Sequence, residues 1–74
     1  MRGVEIGMLF IEQARGGVKV SFRARNGLDV SRLAAQFGGG GHREAAGATV
    51  PGSMDETVER VLEVVRAALG HGVS

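Results

Sequence analysis

Residues 38 to 50 read Gly-Gly-Gly-Gly-His-Arg-Glu-Ala-Ala-Gly-Ala-Thr-Val, and their types and order suit one kind of chemistry, the holding of an anion. Glycine has no Cβ, so it takes positive φ without steric cost and lets the backbone approach a ligand closely. Successive N–H groups curled in this way form a concavity that binds phosphate-like groups. His42 and Arg43 follow at once with side-chain donors. A second set of donors lies in residues 18 to 25, Val-Lys-Val-Ser-Phe-Arg-Ala-Arg, where strict alternation puts Lys19, Ser21, Arg23 and Arg25 on one face. On a strand, same-face neighbours stand about 6.6 to 6.8 Å apart, a spacing that suits a ladder of phosphate contacts. Each feature also has a plain reading. Alternating cations commonly form only a solvated face, a glycine run can serve as a hinge, and His42, Arg43 and Glu44 can be ordinary surface residues. A hinge, however, need not run directly into His-Arg and then a segment of small residues.

These donors need elements to position them. Val4, Ile6, Met8 and Phe10 alternate along residues 4 to 11, while Leu9 and Ile11 add apolar side chains to the other parity, which predicts a strand inside a sheet. Ala14-Arg15-Gly16-Gly17 supplies a turn, so the strands 4–11 and 18–25 read as a hairpin. Asn26-Gly27 breaks the second strand, and Asp29 is placed to cap a short helix with Val30, Leu33, Ala34 and Phe37 on one stripe and Gly38 as its stop. Residues 45 to 50, ending at Pro51-Gly52, predict a third short strand, reached by a crossover through that helix. The handedness of crossovers returns the chain to the same sheet, which should bring loop 38–43 out near Arg23 or Arg25. Ser53 with Glu56 forms a capping box ahead of a second helix, whose stripe is Met54, Val58, Val61, Leu62, Val65 and Leu69 and whose end is Gly70. The tail His71-Gly72-Val73-Ser74 carries no pattern. The fold class expected is α+β: a small mixed sheet of three to four strands, with two helices packed on one face.

Composition narrows the classes further. The 74 residues form a single domain spanning 1–74, and at that length roughly 60% of the unfolded surface is buried, so a partner surface can matter to stability. A hydrophobic share of 43% excludes disorder, which shows low hydrophobicity and high net charge. Net charge of +1 is too balanced for coating duplex nucleic acid by charge alone, so an anion site must be local. Without cysteine there is no disulfide, zinc thiolate or thiol nucleophile. No apolar run reaches the roughly 18 residues of a membrane span and no signal-peptide pattern appears, so the expected location is the cytoplasm.

Val18 to Arg25 (VKVSFRAR), Leu28 to Phe37 (LDVSRLAAQF) and Gly38 to Thr49 (GGGGHREAAGAT) together resemble the C-terminal DHH-associated domain of DHH-family phosphoesterases. Within that family the stretch is most similar to the bacterial oligoribonuclease and phosphoadenosine-phosphate phosphatase branch, the nano-RNases. The resemblance covers essentially the whole chain. It implies that this domain binds substrate, a nucleotide or short single-stranded oligonucleotide, across a cleft from an N-terminal DHH domain of the same parent chain. In the family that second domain carries a pair of manganese ions. Residue by residue, the family's glycine loop falls on Gly38, Gly39, Gly40 and Gly41, its histidine on His42 and its strand arginine on Arg23. Arg25 and Lys19 join the candidates from the strand pattern alone. One departure stands out: many members have Arg-Ser in this strand, and this chain has Arg23-Ala24, which implies the loss of a hydroxyl contact to substrate.

The same resemblance shows what the chain lacks. Two-metal hydrolysis needs several carboxylates converging on ions about 3.5 to 4 Å apart, and no Asp-His-His or Asp-x-Asp segment occurs here. Asp29, Asp55 and Glu56 are already accounted for as helix N-terminal residues. No metal or other cofactor is therefore expected in this chain, which reads as one part of a larger enzyme, inactive as a hydrolase alone and open to forming a homodimer. Two rival readings remain. Related domains end alanyl-tRNA synthetases, where the glycine loop would serve tRNA contact or oligomerisation. RecJ-like exonucleases and cyclic-dinucleotide phosphodiesterases share the binding logic with other substrates.

Overall fold

The computed structural model describes residues 5–25 and 28–70, so Val4, the Asn26-Gly27 break and the tail from His71 lie outside it. Glu5–Glu12 (β1) and Val18–Arg25 (β2) form the expected hairpin, pairing antiparallel from Glu5 opposite Arg25 to Glu12 opposite Val18. Its turn is closed by hydrogen bonds from Gln13 N–H to the Gly17 carbonyl and from Gly16 N–H to the Gln13 carbonyl. Val30–Ala35 (α1) follows, then Gly40–His42 (β3), Ala45–Val50 (β4) and Met54–Ala68 (α2). The strand order is β1-β2-β4-β3, and every pair is antiparallel.

The α+β class stands, with a four-stranded antiparallel sheet in place of the mixed one expected. The crossover through α1 does return to the same sheet in the direction of β2, but it lands on β3 at the far edge. β4 then turns back into the gap between them. No two strands that run the same way are neighbours.

β1 lies at the edge of the sheet and not inside it, contrary to expectation. Leu9 and Ile11 are the reason for the difference: they belong to the parity that faces away from the helices, and they are 58% and 46% exposed. Apolar residues on both parities thus mark here a strand with an uncovered greasy face.

The core lies between the other face of the sheet and the helices. Val18, Val20, Phe22 and Ala24 from β2 meet Ala48 and Val50 from β4, Val30, Leu33 and Ala34 from α1, and Val61 and Val65 from α2. Burying each of the larger side chains contributes about 1.5–3 kcal/mol. Both helix starts form as the sequence dictates. The Asp29 carboxylate accepts from Ser31 N–H, while Ser53 and Glu56 satisfy one another's backbone N–H groups in the capping box. The stripe of α2 is rotated from the one expected: Thr57 is fully buried beside Val61 and Val65, and Val58 and Leu62 are only half-buried.

Candidate phosphate-binding face

The face of the sheet away from the helices carries the donors. In an antiparallel ladder, paired residues point to the same side, so the register lays out this surface row by row. Gly7, Arg23, Ala45 and His42 form one row across all four strands. Leu9, Ser21, Gly47 and Gly40 form the next, and Ile11, Lys19 and Thr49 the one after. Beyond Arg23 in the other direction, Arg25 stands opposite Glu5.

Arg23 and His42 are therefore on one face with a single strand between them, about 9.4 to 9.8 Å apart at the backbone. The residue between them is Ala45, whose methyl leaves space above it. Both side chains are exposed, and both are long enough to lean over Ala45 and donate to one anion. Arg23 is also the less encumbered of the two arginines. Its cross-strand neighbours are Gly7 and Ala45, whereas Arg25 stands opposite Glu5 in the register, an acidic residue beside any anion that it would hold. An open groove of about 750 Å³ lies at this end of the sheet, lined by residues of both parities: Glu5, Gly7, Arg23, Arg25 and Ala45 from the open face, with Ile6, Ala24 and Glu44.

The glycine run is two structures. Gly38 and Gly39 close α1: Gly38 N–H donates to the Ala35 carbonyl and Gly39 N–H to the Ala34 carbonyl. Their amides are thus engaged by the helix end. Gly40 and Gly41 open β3. Ala24 N–H donates to the Glu44 carbonyl, so even-numbered residues of β4 bond towards β2 and odd-numbered ones towards β3. Gly40 and His42 then bond Gly47 and Ala45, and the Gly41 amide points outward from the sheet edge. That amide is the one in the run left for an anion.

Close approach explains why glycines are needed there. A Cβ on Gly39 would stand 2.1 Å from the Gly47 carbonyl oxygen and 2.6 Å from the Ala48 Cβ, and one on Gly41 would stand 2.6 Å from the Ala46 Cα. Gly41 also holds φ 149. The small residues of β4 and the glycines of β3 are a matched pair of surfaces. The opposition of Gly40-Gly41 to Ala46-Gly47 is the sequence signal that could have revealed β3.

Lys19 shares the face but stands two rows from Arg23. Sequence reasoning missed the neutral members, Gly7, Ala45 and Gly47, which carry the parity of the donors and keep the floor low. The departure at position 24 is also resolved by geometry. Ala24 is buried at 8% exposure on the helix-covered side, so a hydroxyl there would not share a face with Arg23. Among the described residues, no three His, Asp or Glu side chains come together in a way that could hold a metal.

The domain is thus an antiparallel sheet bared on one side, with an arginine and a histidine sharing a row and a glycine-built edge strand. The chain belongs to the DHHA1 domain family, which it matches over residues 1–71. It is 48% identical over 62 residues to the bifunctional oligoribonuclease and PAP phosphatase NrnA of Thermus thermophilus, covering 82% of this chain and 19% of that protein. The proteins of the same name from Mycoplasma genitalium and Mycoplasma pneumoniae are 41% and 40% identical, over 62% and 68% of this chain and 14% and 15% of theirs. The chain thus spans a fifth or less of the length of these relatives. Among the described residues, no helix is long and apolar enough to cross a membrane.

Proposed function

We propose that this chain is the substrate-binding part of a DHH-family phosphoesterase that degrades short oligonucleotides or removes a phosphate from 3′-phosphoadenosine 5′-phosphate. The observation that carries this reading is the shared row of Arg23 and His42 over Ala45 on the open face. One phosphate of the substrate is held there by the guanidinium, the imidazole N–H and the outward Gly41 amide. Holding it fixes the distance and direction of a second, scissile phosphate, which converts a loose encounter into aligned attack. Bond cleavage itself belongs to an N-terminal DHH domain of the parent chain, with the manganese ions that the resemblance implies for it. The activities for which the relatives are named support this branch over a synthetase-type tRNA module.

The test is to titrate the chain with a 5′-phosphorylated dinucleotide and follow amide and side-chain NMR signals. Shifts are expected at Arg23, Gly41, His42 and Ala45. Shifts confined to the helix-covered side would refute the site.

A further inference from the structure

Arg43 follows His42 in the sequence but has no place in the rows of the open face. With Glu44 it makes the two-residue turn that joins His42 of β3 to Ala45 of β4. Connections this short favour Asn, Asp or Gly, which accept the backbone twist of the turn; Arg43 and Glu44 are none of these. The turn is held from outside instead. The Arg43 carbonyl accepts Val30 N–H at 2.9 Å, and the Glu44 carbonyl accepts Ala24 N–H at 3.1 Å. One bond ties the turn to the first residue of α1, the other to the residue that follows Arg23. The Asp29 carboxyl that caps α1 is held below its ordinary range chiefly by the Ser31 hydroxyl, and the charge of Arg43 acts in the same direction. Arg43 thus meets the start of α1 with both its carbonyl and its side chain.

His42 is the last residue of a three-residue edge strand that pairs with β4 on one side only. Its place beside Arg23 therefore depends on where the two carbonyls of the turn are fixed. We propose that Asp29, Val30 and Arg43 are positioning residues for the anion site. The capped start of α1, on the covered side of the sheet, holds the Arg43 carbonyl, and through the turn it keeps His42 in the row of Arg23. This assignment rests on the phosphate reading of that row and adds to it the part that sets its geometry.

Val30→Pro isolates the bond. Val30 is the first residue of α1, a position where proline is well tolerated. Asp29 already has the extended backbone, φ −94 and ψ 98, that suits the residue before a proline. The helix start survives while the N–H that Arg43 accepts is lost. Val30→Ala truncates the same buried side chain and keeps the N–H, which corrects for packing. Binding of a 5′-phosphorylated dinucleotide to the chain is measured for both, with amide protection at Val20 and Phe22 verifying the fold. Val30→Pro is expected to bind about tenfold more weakly than Val30→Ala, the low end of what loss of one charge-assisted donor causes. In a His42→Ala background that difference should shrink to about twofold or less, since coupled residues are not additive. Damage to the fold alone would weaken binding equally in both backgrounds. Asp29→Ala should give a smaller loss in the same direction, and Asp29→Asn, which restores the cap, should recover it. If the proline variant does not fold, this second pair decides: Asp29→Ala must bind more weakly than Asp29→Asn only where His42 is present. A difference that persists without His42 overturns the proposal. So does equal binding by Val30→Pro and Val30→Ala when His42→Ala is weakened. If His42→Ala itself binds as the parent does, it is the underlying phosphate reading that fails.

Discussion

The two faces of β2 are built from the same eight residues and meet opposite surroundings. Val18, Val20, Phe22 and Ala24 are buried under two helices, while Lys19, Arg23 and Arg25 remain exposed on the other side. An open face is ordinary for an antiparallel sheet; what distinguishes this one is its lack of height. Gly7, Ala45, Gly47 and Gly40 are the smallest residues available, so donors rise from a floor that a planar or extended ligand can approach. On the proposed function, stability and binding are separable along this single strand, by parity alone.

The largest effect expected on either face is Phe22→Ala. Phe22 is 1% exposed at the centre of the core, and removing such a ring costs about 3–5 kcal/mol. For a domain of this size that is most of the folding free energy, so urea unfolding should show a collapsed midpoint. A stable Phe22→Ala domain would break the division between faces. Arg23→Ala, one residue away, should do the reverse. Loss of one charge-assisted donor costs about 1.5–3 kcal/mol of binding, or roughly ten- to a hundredfold in affinity, with the unfolding midpoint unchanged. His42→Ala should behave in the same manner. Gly39→Ala tests the seam between the faces: its Cβ overlaps Gly47 and Ala48, so an overpacking cost of about 1–3 kcal/mol is expected. If β3 is as described, that loss should come with disrupted pairing of Gly40 to Gly47, visible in amide exchange.

Parity and caps made most of the fold legible in advance. The alternation of residues 18 to 25, the Asp29 cap and the Ser53–Glu56 box each act within a few residues, and each forms as read. What escaped depended on distant partners. β3 was hidden because glycine is a poor strand former by itself, and only the small residues of β4 make Gly40–His42 a strand. The edge position of β1 was hidden because burial on both faces and exposure on one look alike when the exposed residues are Leu9 and Ile11. The candidate site was legible as a set of donors but not as a place. That His42 shares a row with Arg23 follows from two registers, β2 to β4 and β4 to β3, and neither is written in local sequence. The interior of the helix layer held one surprise of the same kind. Thr57 is fully buried with no hydrogen-bond partner for its hydroxyl, because α2 is rotated towards it by packing. Thr57→Val should therefore raise stability by about 1 kcal/mol, seen as a higher melting temperature with binding untouched.

The smallest expected effect is one of pH, and it reaches the covered face through α1. The Asp29 carboxyl is held below its ordinary range, chiefly by the Ser31 hydroxyl, then by backbone N–H groups of Ser31 and Arg32 and by the charge of Arg43. A carboxyl whose pKa is lowered on folding contributes stability above its unfolded value, and that contribution is lost as pH falls through the lowered folded value. The loss should therefore begin below about pH 4, where an unfolded aspartate starts to take up its proton. α1 is tied at its other end to Gly38 and Gly39, and Val30 N–H donates to the Arg43 carbonyl, so acid should loosen α1 and the entry to β3 together. The hairpin β1–β2, which carries Arg23, has no part in this cap. Amide exchange measured between about pH 5 and pH 2.5, a window spanning the ordinary aspartate range, should show protection falling first at Ser31 and Gly39, ahead of Val20 and Phe22. Asp29→Asn supplies the control, since asparagine caps a helix as well as aspartate does and does not titrate. In that variant the early acid loss should vanish while protection at neutral pH stays close to that of the parent. Simultaneous loss at all four positions in both proteins would mean that α1 and the hairpin melt as one unit, and that the two faces of β2 are not separable after all.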